Sequence, residues 1–337
     1  MNLLDVKNLH LNFNTEHQQT LSALRNVSFH LNMGETLGIV GESGSGKSLT
    51  NLAIMGLLPD NAKVMADQLT FEGRDLLSMN EAQKNQIRGK KISMIFQDPM
   101  SSLHPYLTIE TQLTETMLAH LDISAKDASL HAIELLEKVG IKDPLKKLKT
   151  YPFELSGGMA QRVMIAMAIS TQPKLLIADE PTTALDVTIQ KQILDLLKEL
   201  QIKNNMALML VSHDLGLIAE YSERIQVMYA GEIVEARSKQ DMLNKALHPY
   251  TEGLLKSRPT LYSDKSKAEL YSISGIVPTL SNRPQGCQFA PRCHLKKDHC
   301  EKTSFAQTMH NKLSREQDID KIAGHVFCLE RTLRNEV

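Results

Sequence analysis

Residues 41–48 read GESGSGKS, residue types and spacing suited to one task, the holding of a phosphate chain. They fit the pattern G-x-x-x-x-G-K-[ST]. Glycines let the backbone curl until successive N–H groups face one anion, and a helix starting near Lys47 adds its positive dipole end. The ligand set is Gly41, Ser43, Gly44, Ser45, Gly46, Lys47, Ser48 and Leu49. Lys47 reaches the β- and γ-phosphates, and the Ser48 hydroxyl ligates Mg²⁺. By chance such a pattern arises about once in a hundred chains of this length, so a plain Gly/Ser turn is the poorer reading.

A second group lies at residues 174–181, KLLIADEP. Its four apolar residues form a buried strand whose end presents Asp179 and Glu180. Asp179 can hold Mg²⁺ directly or through water, and Glu180 can polarise a water for in-line attack on a γ-phosphate. Alone, a solvated acidic turn would be the better reading; the phosphate loop upstream reverses it. A third group, LSGGMAQR at 155–162, sets two glycines after a serine at a helix start. That makes a second place where backbone N–H groups accept a phosphate. Spacing leaves open which molecule's nucleotide it serves.

Placing these groups needs an α/β frame. Short β-branched runs alternate with helical patterns over the first 257 residues. Strands are expected at 27–31, 36–40, 92–96, 175–178, 207–211 and 225–229, and helices at 47–58, 128–139, 158–171, 189–203 and 215–221. From about 98 to 155 helical segments dominate, which predicts an inserted helical lobe. The lone histidine with a special setting is His213, after the apolar run MALMLVS and before Asp214 at a helix start. Met164 and Met167 sit at helical spacing and read as core.

The chain has 337 residues, 38 Lys+Arg and 39 Asp+Glu, a formal net charge of −1. With 42% hydrophobic and 23% charged residues it reads as globular, and a disordered or fibrous chain is excluded. Near-neutral balance argues against a nucleic-acid partner. Residues 258–337 hold 13 Lys+Arg and 9 Asp+Glu, a net of +4 that leaves −5 for the rest. No run approaches the ~18 apolar residues of a membrane span. The start MNLLDVKNLH does not read as a signal peptide. A cytoplasmic protein, with reduced thiols, is expected.

Together the three motifs resemble the nucleotide-binding subunit of an ABC transporter over essentially the whole chain. LSGGMAQ is similar to the family signature, LLIADEP to its Walker B strand, TALD at 183–186 to the D-loop, Gln97 in IFQDP to the Q-loop, and His213 in LVSHD to the switch histidine. The resemblance implies a P-loop NTPase fold of the ABC type with an inserted helical subdomain at about 98–160. It also implies catalysis in trans: two ATP molecules lie between two such subunits, identical or homologous. Ser156, Gly157 and Gly158 then contact the γ-phosphate held by the partner subunit. Glu180 is the general base, His213 positions the γ-phosphate and water, Gln97 senses Mg²⁺ and couples to the membrane subunits, and Asp186 bridges the dimer. Phe13 lies where the family stacks an aromatic on adenine.

HPYTEGLLKSRP at 248–259, then GIVP at 275–278 and RPQGCQFAPRC at 283–293, resemble the end of the core domain and the C-terminal extension of oligopeptide and dipeptide importers. VMADQL at 64–69 and the block 161–190 look most like the dipeptide-type subunit. This divides the chain into an ATPase domain at 1–257 and an extension at 258–337. It implies an enzyme on the cytoplasmic face of the inner membrane that energises peptide import. Its partners are a second ATPase subunit, two transmembrane permease subunits and, indirectly, an extracytoplasmic peptide-binding protein. The same engine for an antimicrobial peptide, a glutathione-like conjugate or nickel is an alternative, as is a soluble ABC switch protein acting on DNA or ribosomes. That last class usually carries paired domains, a coiled coil or a basic surface, none legible here.

All four cysteines fall in the extension as C-x₅-C-x₆-C-x₂₇-C, at Cys287, Cys293, Cys300 and Cys328. Zinc ribbons use tighter pairs, ferredoxins other spacings, and a reducing compartment disfavours disulfides. Four thiolates suit a tetrahedral metal or a cubane. The family resemblance implies a [4Fe–4S] cluster, with Zn²⁺ as the alternative.

Overall fold

Leu4, Val6, Leu9 and Leu11 cannot share one face of a strand of strict period two, yet all four are fully buried. The strand Leu4–Asn14 solves this with an irregularity between Val6 and Leu9, where Asn8 takes φ 52°. Asparagine tolerates that left-handed conformation, and the extra residue returns Leu9 to the core side. The strand heads an antiparallel sheet in a computed structural model that describes residues 2–16, 19–183, 185–257, 271–302 and 328. The chain divides into two compact units, one of Met1–Asn32, Thr36–Ser78 and Ser212–Val337, the other of Met33–Glu35 and Met79–Val211.

In the first unit Leu4–Asn14 pairs with Thr20–Leu31 on one side. On the other it pairs with Gln68–Phe71 and, further along, with Ala62–Met65. Thr36–Val40, buried throughout, runs parallel to Arg224–Tyr229. Arg224–Tyr229 forms an antiparallel hairpin with Glu232–Ser238. Ala230 and Gly231 both have positive φ, the condition for a two-residue turn that matches strand twist. A short strand Arg74–Asp75 pairs with Gln68–Phe71, and helices Lys47–Met55, Leu215–Tyr221, Lys239–Asn244 and Pro249–Lys256 belong to the same unit.

The described part of the extension belongs to the same unit. It carries short 3₁₀ turns at Leu280–Asn282, Ala290–Arg292 and Asp298–Glu301. Arg283 donates from Nη1 to the Ser22 and Ala23 carbonyls at 2.8 and 3.0 Å. Phe289 packs edge-on against Tyr229 at 5.2 Å and tilted against Tyr250 at 5.3 Å.

The second unit has three parallel strands, Ile92–Ile95, Leu175–Asp179 and Ala207–Ser212, in the order first, second, third. Leu175, Leu176, Ile177 and Ala178 are fully buried, which accounts for a continuous apolar run without alternation. The expected helical lobe is present as Pro99–Ser102, Ile109–His120, Ala125–Lys138, Pro144–Leu148 and the turn Pro152–Glu154. Thr108 and Ser124 cap the two longer helices by accepting from the amides of Thr111 and Asp127. Caps explain why helices expected to start at 128, 158 and 189 start earlier, at Ala125, Gly157 and Val187. The sequence reading stops short on the strand expected from 27, which begins at Thr20, and it omits Leu4–Asn14, Ala62–Met65, Gln68–Phe71, Arg74–Asp75 and Glu232–Ser238. Two glutamates inside the last of these mask its pattern. Among the described residues no helix is long and apolar enough to cross a membrane.

Glu235 is fully buried and its two carboxylate oxygens accept the amides of Leu247 and His248 at 3.0 and 2.9 Å. Burial raises its pKa, while those amides oppose the rise. This carboxylate anchors the start of helix Pro249–Lys256, where His248 Nδ1 accepts the Tyr250 amide at 3.1 Å. Glu235→Ala should destabilise the fold by about 3 kcal/mol in chemical denaturation, because two buried donors lose their acceptor. Glu235→Gln should cost clearly less; an alanine variant as stable as the parent would remove the anchor.

Candidate functional site

The phosphate loop joins the buried strand Thr36–Val40 to the helix Lys47–Met55. Gly46, at φ 105°, is the N-cap and no side chain caps this helix. A Cβ on Gly41 would lie 2.2 Å from the Met228 carbonyl oxygen, so only glycine passes there. Lys47 is 5% exposed and donates from Nζ to the Gly41 and Glu42 carbonyls at 2.7 and 3.1 Å, with Ser45 Oγ at 3.5 Å. The Gly231 amide donates to the Ser45 carbonyl at 2.8 Å. Ser43, Gly44 and Ser48 are exposed, and Leu49 is half-buried. A glycine-rich curl at a helix start, with its carbonyls taken up by Lys47 Nζ and the Gly231 amide, suits an anion.

His213 and Phe13 share this unit. His213 is exposed and directly precedes Asp214, whose carboxylate caps helix Leu215–Tyr221 by accepting the Gly216 and Leu217 amides at 2.7 and 3.1 Å. That cap fixes the backbone that carries the histidine. Phe13 is half-buried in the first strand, opposite Leu21 on one neighbour and Ala62 on the other.

In the second unit Asp179 ends the strand Leu175–Asp179 at 4% exposure. Glu180 follows at φ 47°, a strained conformation for glutamate, and its amide donates to the Val211 carbonyl at 2.9 Å. Its Oε2 accepts from Gln97 Nε2 and from Thr183 Oγ1, each at 3.0 Å. Gln97 and Glu180, 83 positions apart, are thus brought into direct contact. Thr183, to which sequence reasoning gave no role of its own, completes the grip.

The signature opens helix Gly157–Ile169, whose N-cap is Ser156; its hydroxyl accepts the Met159 amide at 3.4 Å. Ser156 and Gly157 are exposed. A Cβ on Gly158 would stand 3.2 Å from Ile189 Cγ2, so a larger residue would press on helix Val187–Lys203. Asp186 caps that helix, accepting the Ile189 amide at 3.0 Å. Arg162, also unassigned from sequence, donates to the Val139 carbonyl and to Gln192 Oε1, fastening the signature helix to both neighbouring helices.

The cysteines gather in the first unit. Cys287 donates its amide to the Cys300 carbonyl at 2.8 Å, and turns link Cys287 to Ala290, Ala290 to Cys293 and Cys293 to Lys296. Burial pushes the Cys287 thiol up to about 12, with Glu232, Cys328 and Cys293 near enough to add to the rise. Such a thiol stays protonated at neutral pH. Among the described residues no three His, Cys, Asp or Glu side chains stand close enough to hold a metal ion.

A curled phosphate loop after one strand, an Asp-Glu pair ending another, and a serine-capped signature helix define an ABC-type P-loop ATPase. Residues 24–183 match the ABC transporter family, and residues 234–300 match the C-terminal region of oligopeptide/dipeptide transporters. The dipeptide transport ATP-binding protein DppD of Haemophilus influenzae is 50% identical over 300 residues, 89% of this chain and 90% of the relative. The oligopeptide transport ATP-binding protein AppD of Bacillus subtilis is 49% identical over 299 residues, 88% of this chain and 90% of the relative. Among solved structures, a dimeric ATP-binding cassette bound to ADP and Pi matches with a TM-score of 0.59 and 28% identity, over 68% of this chain and 96% of that one. The chain belongs to the dipeptide and oligopeptide transport ATP-binding family of ABC ATPases.

Lys47→Ala should weaken ATP binding about tenfold or more in equilibrium titration, since the buried ammonium that braces the loop is lost. Unchanged affinity would remove the loop from nucleotide binding.

Proposed function

We propose that this chain binds and hydrolyses ATP to drive a membrane importer of dipeptides and oligopeptides, working from the cytoplasmic face of the inner membrane. The observation that carries the reading is the joint presence, in one chain, of the phosphate-loop geometry and an extension similar to that of peptide transporters. We keep 1–257 as the ATPase domain and 258–337 as the extension. The engine is a pair of such subunits bound to two transmembrane permeases, with an extracytoplasmic peptide-binding protein delivering cargo.

In this reading Gly41, Ser43, Gly44, Ser45, Gly46, Lys47, Ser48 and Leu49 cradle the phosphates and Phe13 stacks on adenine. Ser48, Gln97 and Asp179 would be the residues to hold Mg²⁺, which would supply charge neutralisation at the phosphates. Glu180 takes the proton of the attacking water, and His213 orients that water and the γ-phosphate. Ser156, Gly157 and Gly158 serve the nucleotide of the partner subunit, and Asp186 meets the partner's surface. The resting contact of Gln97 with Glu180 supports a coupling role: a shift of the glutamine changes what the base can reach. ATP closes the pair through γ-phosphate contacts that ADP lacks, so hydrolysis permits opening.

Glu180→Gln should lower ATP turnover at least a hundredfold while ATP still binds, and should abolish ATP-dependent uptake of a labelled dipeptide. Mild-detergent purification should recover two permease subunits with the chain. Wild-type turnover removes Glu180 from the base role; ribosomal or chromosomal partners alone overturn the transport reading.

The four cysteines support a structural [4Fe–4S] cluster on Cys287, Cys293, Cys300 and Cys328. Their clustering in the extension favours a metal, and the ligation shell would have to close around it. Anaerobically purified protein should contain about four iron and four acid-labile sulfide per chain. Zinc alone would sink the cluster.

A further inference from the structure

Glu42 is the only acidic residue in the phosphate loop, a fixed negative charge inside a receptacle for negative charge. The loop tolerates it because the carboxylate is held away and neutralised. Arg292 Nη1 donates to Glu42 Oε2 at 2.9 Å, and the arginine side chain is only 5% exposed against 32% for the glutamate. The rest of the guanidinium is fixed by the extension itself: Nε donates to the Ser274 carbonyl at 2.9 Å and Nη2 to the Ile273 carbonyl at 3.1 Å. Its plane lies over the Tyr229 ring, 5.7 Å from the centroid. Glu42 is gripped at its main chain as well, where its amide donates to Tyr250 Oη at 2.9 Å. Tyr250 is fully buried against Tyr229, with ring centroids 4.8 Å apart. Arg292 and Tyr250 both lie outside the matched ATPase segment, and both close on the second residue of the phosphate loop.

We infer that Arg292, carried by the C-terminal extension, is a positioning residue for nucleotide binding, acting by neutralising and tethering Glu42 so that the loop accepts a triphosphate. The inference rests on the phosphate-loop reading above. Without Arg292 the Glu42 carboxylate is free to swing toward the bound phosphates, and the repulsion falls on ground-state binding more than on the chemical step. Cys293 follows Arg292 directly, so the same contact ties the cysteine segment to the nucleotide loop.

The test is equilibrium binding of MgATP and steady-state kinetics on the full chain with its partners. Arg292→Ala should raise the ATP Kd and KM about five- to tenfold with a smaller change in kcat, more strongly at low salt than at high. Glu42→Gln alone should bind ATP as well as the parent or better. The double variant Glu42→Gln/Arg292→Ala should recover near-parental affinity, which lost packing or lost metal would not allow. Arg292→Lys, which keeps the charge, should stay within about twofold and serves if the alanine variant does not fold. Unchanged affinity in Arg292→Ala, or a double variant as weak as the single, would overturn the inference. Lys47→Ala run alongside separates the two claims: if it too leaves ATP affinity intact, the phosphate-loop reading has failed, not the arginine.

Discussion

A loop that offers its amides to a ligand cannot spend them on its own structure. That constraint governs the region around residues 41–48. The curl is held mostly through carbonyls and side chains, with Lys47 Nζ on the Gly41 and Glu42 carbonyls and the Gly231 amide on the Ser45 carbonyl; it spends two amides, Glu42 on Tyr250 Oη and Ser45 on the Glu42 carbonyl. Each of these supports is itself positioned by something buried. Gly231 sits in a hairpin turn, and Tyr250 sits in a helix whose first residues hang on the Glu235 carboxylate. A binding site of this kind costs the protein a second layer of buried polar groups that hold the loop.

The same economy runs through the second unit, where three residues of the recognisable motifs also end or begin an element. Glu180 is held in a strained conformation just past a buried strand, with its carboxylate engaged by Gln97 and Thr183. Ser156 and Asp186 each cap a helix. Each of these caps therefore stabilises the backbone next to its own position.

Burial of charge is the recurring device in the first unit. Glu232, Glu235 and Arg292 are all nearly or fully withdrawn from water, which is costly unless each is matched by donors or opposite charge. Burial pushes Glu232 up to about 7, with Arg25 and Arg283 opposing the rise. These groups lie on the hairpin strand and the extension, so the extension is secured by polar contacts set within an aromatic cluster rather than by area alone.

The local pattern alone determined the phosphate loop, the Asp179–Glu180 strand end, the signature helix and the helical lobe, because each is a contiguous run whose spacing carries its own physics. It was less informative about the first strand, where a bulge at Asn8 breaks the alternation, and about Glu232–Ser238, where buried glutamates look like surface. Thr183 and Arg162 sit within recognisable motifs, but their partners lie three to thirty positions away, and only folding shows them. The contact of Arg292 with Glu42 spans 250 positions. No periodicity or composition reports a pairing of that range, since it depends on how the strands and the extension close on one another. Sequence therefore specified which chemistry the chain carries; tertiary structure decided what holds the phosphate loop in shape to perform it.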